Sequence, residues 1–397
     1  MTRRMLDLIG LSRLGWFPVG LMRPSGETHS SVQRRDALQR PRGMNAMRAA
    51  ATGAALLALG VATACGTSNR PAHSSSTPTP TTASAAASPS PTSTPASSPP
   101  ASVRPGFAAS DVSFVSTQRG WVLGSGQLLT TDDGALSWTT LPAPPAGVTH
   151  LRFATSSDGY AWSTDGALWL TTDGAASWQP GQLGQVLSLE TASGWVWAIA
   201  GPQPYPDVWR APVGSTRWTN LGFTPDRSAA LLVHGPTAYV AGQEGAGPIP
   251  PSVEMYTGTQ AGRHQAVPCP ASLPVPYAEL GASTDGSLVL VCDVQGQPAE
   301  YDLAYVSTDG GSSWTAITAP PVWSHGVTAI TGKRFSWNGN VLVSSGGAWT
   351  VALAGPSGGF SLVGFETDQQ GVALATDGAL WITRDGGSTW RRVSFAG

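Results

Sequence analysis

Four nine-residue segments of this chain align without gaps: TTDDGALSW ending at Trp138, LTTDGAASW at Trp178, VSTDGGSSW at Trp314 and ITRDGGSTW at Trp390. Each carries a hydroxyl residue, then Asp two positions on, a small residue, a second hydroxyl residue and Trp. Asp followed by Gly suits a tight hairpin: the carboxylate accepts backbone N–H bonds, the small residue takes a positive φ, and the Trp begins the next strand and packs between neighbouring sheets. The aspartates Asp133, Asp173, Asp309 and Asp385 are 40, 136 and 76 residues apart. At roughly 38 to 45 residues per unit the gaps hold one, three and two units, which makes six steps and seven units.

The units without the motif are legible as strand pairs. Each unit opens on a short apolar strand followed by a second one, usually begun by Gly: VSFVS with GWVL, LRFAT with GYAW, VLSLE with GWVWAI, LLVHG with TAYVAG, YAELG with GSLVLV, TAITG with GNVLVS, and LVGFE with GVALA. Trp218 and Trp349 stand near the tryptophan position of two units that lack the motif. Helical periodicity is absent, Gly is abundant and 15 of the 16 tryptophans lie after residue 104. These features predict an all-β chain from 105 to 397: one β-propeller of seven four-stranded blades. The four segments resemble the Asp-box (BNR repeat), Ser/Thr-x-Asp-x-Gly-x-Ser/Thr-Trp, of sialidase-like and photosystem II assembly factor-like propellers. The last two match at every position; the first two place Ala135 and Ala175 where the family has Gly. The resemblance implies a structural role for Asp133, Trp138, Asp173, Trp178, Asp309, Trp314, Asp385 and Trp390, at the turn between the third and fourth strands of a blade. The chain is expected to begin on an inner strand and end on the outer strand WRRVSF, with no strand exchange closing the ring. Arg391 and Arg392 would then guard an open edge.

Charge divides the chain near Arg104. Residues 1–104 hold 11 Lys+Arg against three acids, and the remainder holds 11 against 21, so the predicted propeller carries about −10. A surface of that sign has little to offer a phosphate backbone or an anionic membrane, and nucleic acid is excluded as the expected partner. From Met44 the chain reads as an export signal: Arg48, an apolar run of about 16 residues, too short for a confident membrane span, and small residues up to Cys65. Ala62-Thr63-Ala64-Cys65 resembles the lipobox of bacterial lipoproteins, which implies lipidation of Cys65; a plain secretory signal or an uncleaved anchor is the alternative. Residues 1–43 read as a start codon assigned too far upstream, or as a disordered extension. Residues 66–104 are almost entirely Ser, Thr, Pro, Ala and Gly, with Arg70 and Arg104 as fixed charges, too polar to offset the entropy of ordering, and read as a disordered linker. Extended, those 39 residues reach about 120 Å at roughly 3.1 Å each.

Cys269 and Cys292 remain in a compartment that permits disulfides, and a bridge between blades four and five is expected, with two buried thiols as the alternative. No metal and no cofactor is expected. The motif aspartates read as turn scaffold and no catalytic residue is assigned: the sialidase Arg-Ile-Pro segment is missing, and no Gly-x-Ser-x-Gly, phosphate loop or zinc spacing occurs. His150, His234, His264 and His325 are scattered over different units. The longest irregular insertions, 201–207, 243–256 and around 267–277, make Tyr205, Tyr256 and Tyr277 the candidate binding residues, with packing against neighbouring loops as the alternative. The function expected is a non-catalytic, monomeric lipoprotein propeller at the extracytoplasmic face of the bacterial membrane, lipid-anchored or secreted. It would bind or assemble an envelope protein or glycan; the alternative is a glycan-binding or sialidase-like hydrolytic propeller.

Overall fold

The structure, a computed structural model, describes residues 103, 106–203, 205–224, 230–242, 252–258, 262–270, 277–294, 301–322 and 324–395. They form a seven-bladed β-propeller. Each blade is a four-stranded antiparallel sheet of strands consecutive in sequence: 109–140, 148–180, 186–223, 230–265, 277–317, 326–353 and 360–392. The first strand of every blade packs on the first strand of the next, from blade 1 through to blade 7, so these strands ring the central axis.

Four of the second strands are buried along their whole length, Gly120–Gly124, Gly159–Ser163, Leu288–Val294 and Gly371–Ala375. Neighbouring blades cover both of their faces, which explains continuous apolar runs in place of alternation. The outermost strands are short and exposed, only Thr139–Thr140, Gln179–Pro180 and Arg391–Arg392 in three of the motif-bearing blades. Edges this short and polar offer little to a pairing chain.

The glycines that begin many second strands have a packing cause. Gly120, Gly159 and Gly371 are cross-strand partners of Phe114, Phe153 and Phe365. A Cβ at any of the three would stand 2.5 Å from the partner's ring. Blade 6 departs from the sequence expectation. GNVLVS is its third strand, Val341–Ser344; the second is Lys333–Trp337, paired with Gly326–Ile330 through a two-residue turn at Thr331-Gly332.

The four aspartate turns are built alike. Asp133 Oδ1 accepts the Thr131 hydroxyl at 2.8 Å and the Ser137 N–H at 2.9 Å, and its Oδ2 accepts the Ser137 hydroxyl at 2.6 Å. Asp173, Asp309 and Asp385 repeat the pattern. The Ser313 hydroxyl and N–H, then the Ser307 hydroxyl, hold the Asp309 carboxylate down to about 2. These carboxylates are occupied by their own turns. Donors of the preceding blade fasten three of them: Trp121 Nε1 to Gly174 O at 3.2 Å, Lys333 Nζ to Gly386 O at 2.8 Å, and Arg384 Nη2 to Gly134 O at 2.7 Å. Trp218 and Trp349 occupy the motif-tryptophan place, directly before the outermost strands Thr219–Phe223 and Thr350–Leu353.

Among the described residues no strand is exchanged where blade 7 meets blade 1. Side-chain and main-chain hydrogen bonds close the ring: Gln370 Nε2 donates to Ser116 O at 3.2 Å, Arg391 Nη2 to Ala135 O at 3.2 Å, and the Ala109 N–H to Gly378 O at 3.0 Å. Val112, Phe114, Val372, Leu374 and Val393 form one buried cluster across the seam. The rings of Phe107 and Phe395, 4.7 Å apart, cover it.

Candidate functional site

Antiparallel alternation sorts the loops by face. Hairpins joining first to second strands, and third to fourth, leave a blade at one end. Second-to-third connections, and links to the next blade, leave at the other. All four aspartate turns therefore lie on one face. The described parts of the connections 201–206 in blade 3 and 266–270 after blade 4 lie on the opposite face.

The candidate binding residues do not share one fate there. Tyr205 stands in the first of these connections and is 52% exposed. Tyr256 is not a surface anchor: it lies in the third strand of blade 4, Ser252–Thr257, and is 1% exposed. Its ring packs with Trp197, Leu221 and Leu231, and its hydroxyl donates to Glu254 Oε2 at 2.9 Å. Burial, then the Glu254 charge, pushes that phenol well above its usual range. Tyr277 opens the innermost strand of blade 5, opposite Asp293; its side chain lies outside the described residues, as do 243–251 and 271–276. The disulfide is present: Cys269, in the connection between blades 4 and 5, is bonded to Cys292 in the second strand of blade 5, with Cα atoms 5.7 Å apart.

Charged side chains gather on the axial strands, a grouping the sequence reading did not find. Arg152, on the innermost strand Val148–Phe153 of blade 2, reaches both neighbours. Its Nε donates to both carboxylate oxygens of Glu190 in blade 3, at 3.1 and 3.2 Å, and its Nη1 stands 3.4 Å from Asp111 Oδ1 in blade 1. Asp111 Oδ2 accepts the Leu151 N–H at 2.9 Å and lies 3.7 Å from His150 Nδ1. Burial alone would raise Asp111; Arg152, His150 and the Leu151 N–H outweigh it and hold the carboxyl below its usual value. For Glu190 burial wins over Arg152, and the carboxyl moves up. The two directions agree, since Glu190 lacks the extra donors and also feels the Asp111 charge. Glu366, after the innermost strand of blade 7, is pushed up to about 8 by burial, with Arg152 as a weaker opposing influence. Its Oε2 has no hydrogen-bond partner among the described residues.

This cluster is an ion network that locks three axial strands together, with a neutral carboxyl beside it. Both Asp111 and Glu190 are committed to the same guanidinium. Among the described residues no group of three or more His, Cys, Asp or Glu is placed to hold a metal ion.

No protein-family model matches the sequence. No curated protein matches it. Solved structures do resemble the fold. YCF48 bound to D1 peptide superposes with a TM-score of 0.51 at 19% identity, over 70% of this chain and 93% of that one. The tricorn protease gives 0.55 at 9% identity, over 74% of this chain and only 35% of its own. The WD40 β-propeller domain of Doa1 gives 0.50 at 11% identity, over 70% and 92%. At these identities the likeness is one of fold.

Proposed function

We propose that this chain is an Asp-box propeller that serves as a non-catalytic, protein-binding or assembly scaffold at the bacterial cell envelope. In this reading it is exported on 44–65, lipidated at Cys65 and held off the membrane by 66–104. The observation that carries the binding role is Tyr205, 52% exposed in the connection between the second and third strands of blade 3, on the face opposite the aspartate turns. A rigid ring presenting loops on one face is a recognition scaffold. YCF48, with a D1 peptide bound, is a propeller of like fold that takes a peptide ligand.

The test is a binding screen of the purified full-length protein against a glycan array and against solubilised envelope proteins, with thermal shift as the readout. Saturable stabilisation by one envelope protein is expected, weakened about tenfold or more by Tyr205→Ala, the loss of one aromatic anchor. The variant's own melting temperature should stay at the wild-type value. A saturable glycan ligand with no protein ligand would replace the scaffold reading with a glycan-directed one.

A further inference from the structure

Two buried carboxylates face each other within blade 5. Asp293 lies near the end of the second strand, Leu288–Val294, and Asp302 near the start of the third, Tyr301–Ser307; they are direct cross-strand partners. Their exposures are 4% and 7%. Direct antiparallel partners hold their Cβ atoms about 4.5–5.5 Å apart on one face of the sheet. Two carboxylates at that range, shut off from water, do not both ionise without cost, and sharing one proton is the lower-energy state.

The surroundings favour the shared proton. Asp302 Oδ2 accepts the Ser324 N–H at 3.1 Å, while Oδ1 has no hydrogen-bond partner among the described residues. Among those residues no basic side chain pairs with Asp302. Ser324 in turn touches Ser336 Oγ at 2.8 Å, on the second strand of blade 6. Other titratable residues nearby in register or sequence include Tyr277 opposite Asp293, Glu279 two residues along that strand on the same face, Tyr301 beside Asp302 and His325 after Ser324, while Glu300 lies outside the described residues. Burial first, and the Asp293 charge second, push Asp302 up to about 7, against the pull of the Ser324 N–H.

We propose that Asp293 and Asp302 form a proton-sharing pair that couples pH to the junction of blades 5 and 6. With the proton in place the two strands stay closed and the Ser324 N–H remains bound. Its loss sets two like charges against each other at the end of the hairpin that holds the junction. The carboxyl is raised in the folded state, so its contribution is complete in acid, falls as pH rises from the ordinary value of 3.8 through about 7, and is flat above. The inference stands independently of what the propeller binds.

Thermal unfolding of the full-length protein between about pH 4 and about pH 8 tests it, comparing wild type with Asp302→Asn and Glu366→Gln. Wild type should lose several degrees across the window. Asp302→Asn should flatten that fall and melt at or above wild type at the alkaline end, while Glu366→Gln keeps the fall up to about pH 7. An Asp302→Asn protein with the wild-type slope would overturn the proposal. Should that variant not fold, infrared spectra of the Glu366→Gln protein decide without it. A protonated, buried carboxylic acid band present at mildly acidic pH and gone at alkaline pH supports the pair, and its absence at both sinks it.

Discussion

The small residue of each aspartate turn shows how far one backbone angle governs composition. At Ala135 and Ala175 φ is +66° and +75°, and at Gly311 and Gly387 it is +89° and +77°. The left-handed region costs a non-glycine residue about 1–2 kcal/mol. The two alanines offset part of that by burying a methyl, being 1% and 0% exposed. At Gly387 there is no such room, because a Cβ would stand 2.6 Å from Phe335 Cε1. Gly387→Ala should therefore cost at least about 2 kcal/mol in urea unfolding, strain and overpacking adding. Ala175→Gly should stay within about 1 kcal/mol of wild type, since relief of strain and loss of the methyl oppose each other. The turn aspartates were legible from sequence because every partner lies within four residues. The axial network was not, because Arg152 meets Asp111 and Glu190 across 41 and 38 residues.

Strands were easier to find than to pair. In blade 6 both KRFSW and GNVLVS are short and apolar enough to follow the first strand, and the habit of Gly-initiated second strands pointed to the wrong one. Register is decided by the tight turn at Thr331-Gly332, where Gly332 has φ +75° and Ile330 pairs with Lys333. Two-residue hairpin loops of this kind favour a glycine with positive φ. At the same scale the disulfide pins the step between blades 4 and 5. It closes a loop across a separation of 23 residues, between cysteines 5% and 0% exposed. Replacing both cysteines with Ser should lower unfolding stability by about 3 kcal/mol. Urea midpoints of the double variant and wild type measure this. An unchanged midpoint would mean that the bridge is redundant with the packing around it.

A ring of seven sheets has a single seam, and among the described residues no exchanged strand closes it. Main-chain and side-chain hydrogen bonds, together with one apolar cluster, do the joining, so closure depends on packing between residues near opposite ends of the propeller. The axial ion network binds blades 1, 2 and 3 in the same way. Arg152 and Glu190 are mostly buried, with side chains 18% and 22% exposed. Arg152→Ala leaves Asp111 and Glu190 without their cation and should cost about 3–5 kcal/mol, the penalty of a broken buried pair. Adding Glu190→Gln should recover part of that loss, which a double-mutant cycle in urea resolves. Independent contributions would show that the two residues are not coupled.

The sequence by itself determined the number of blades, the strand-rich architecture and the chemistry of the aspartate turns. Those features are local and repeated: a nine-residue pattern whose aspartate finds its partners inside it, and a period that counts the units. It also pointed to Cys269 and Cys292 as a pair. Only the tertiary structure decided that Tyr256 is buried while Tyr205 is exposed, because both are tyrosines beside long insertions and the Tyr256 ring is covered by Trp197 and Leu221 of blade 3. The same holds for Arg152 with Asp111 and Glu190, and for Ser324 above the Asp293 and Asp302 pair. Each joins residues of adjacent blades, and which side chains meet there depends on how one sheet packs on the next, a relation no stretch of sequence contains.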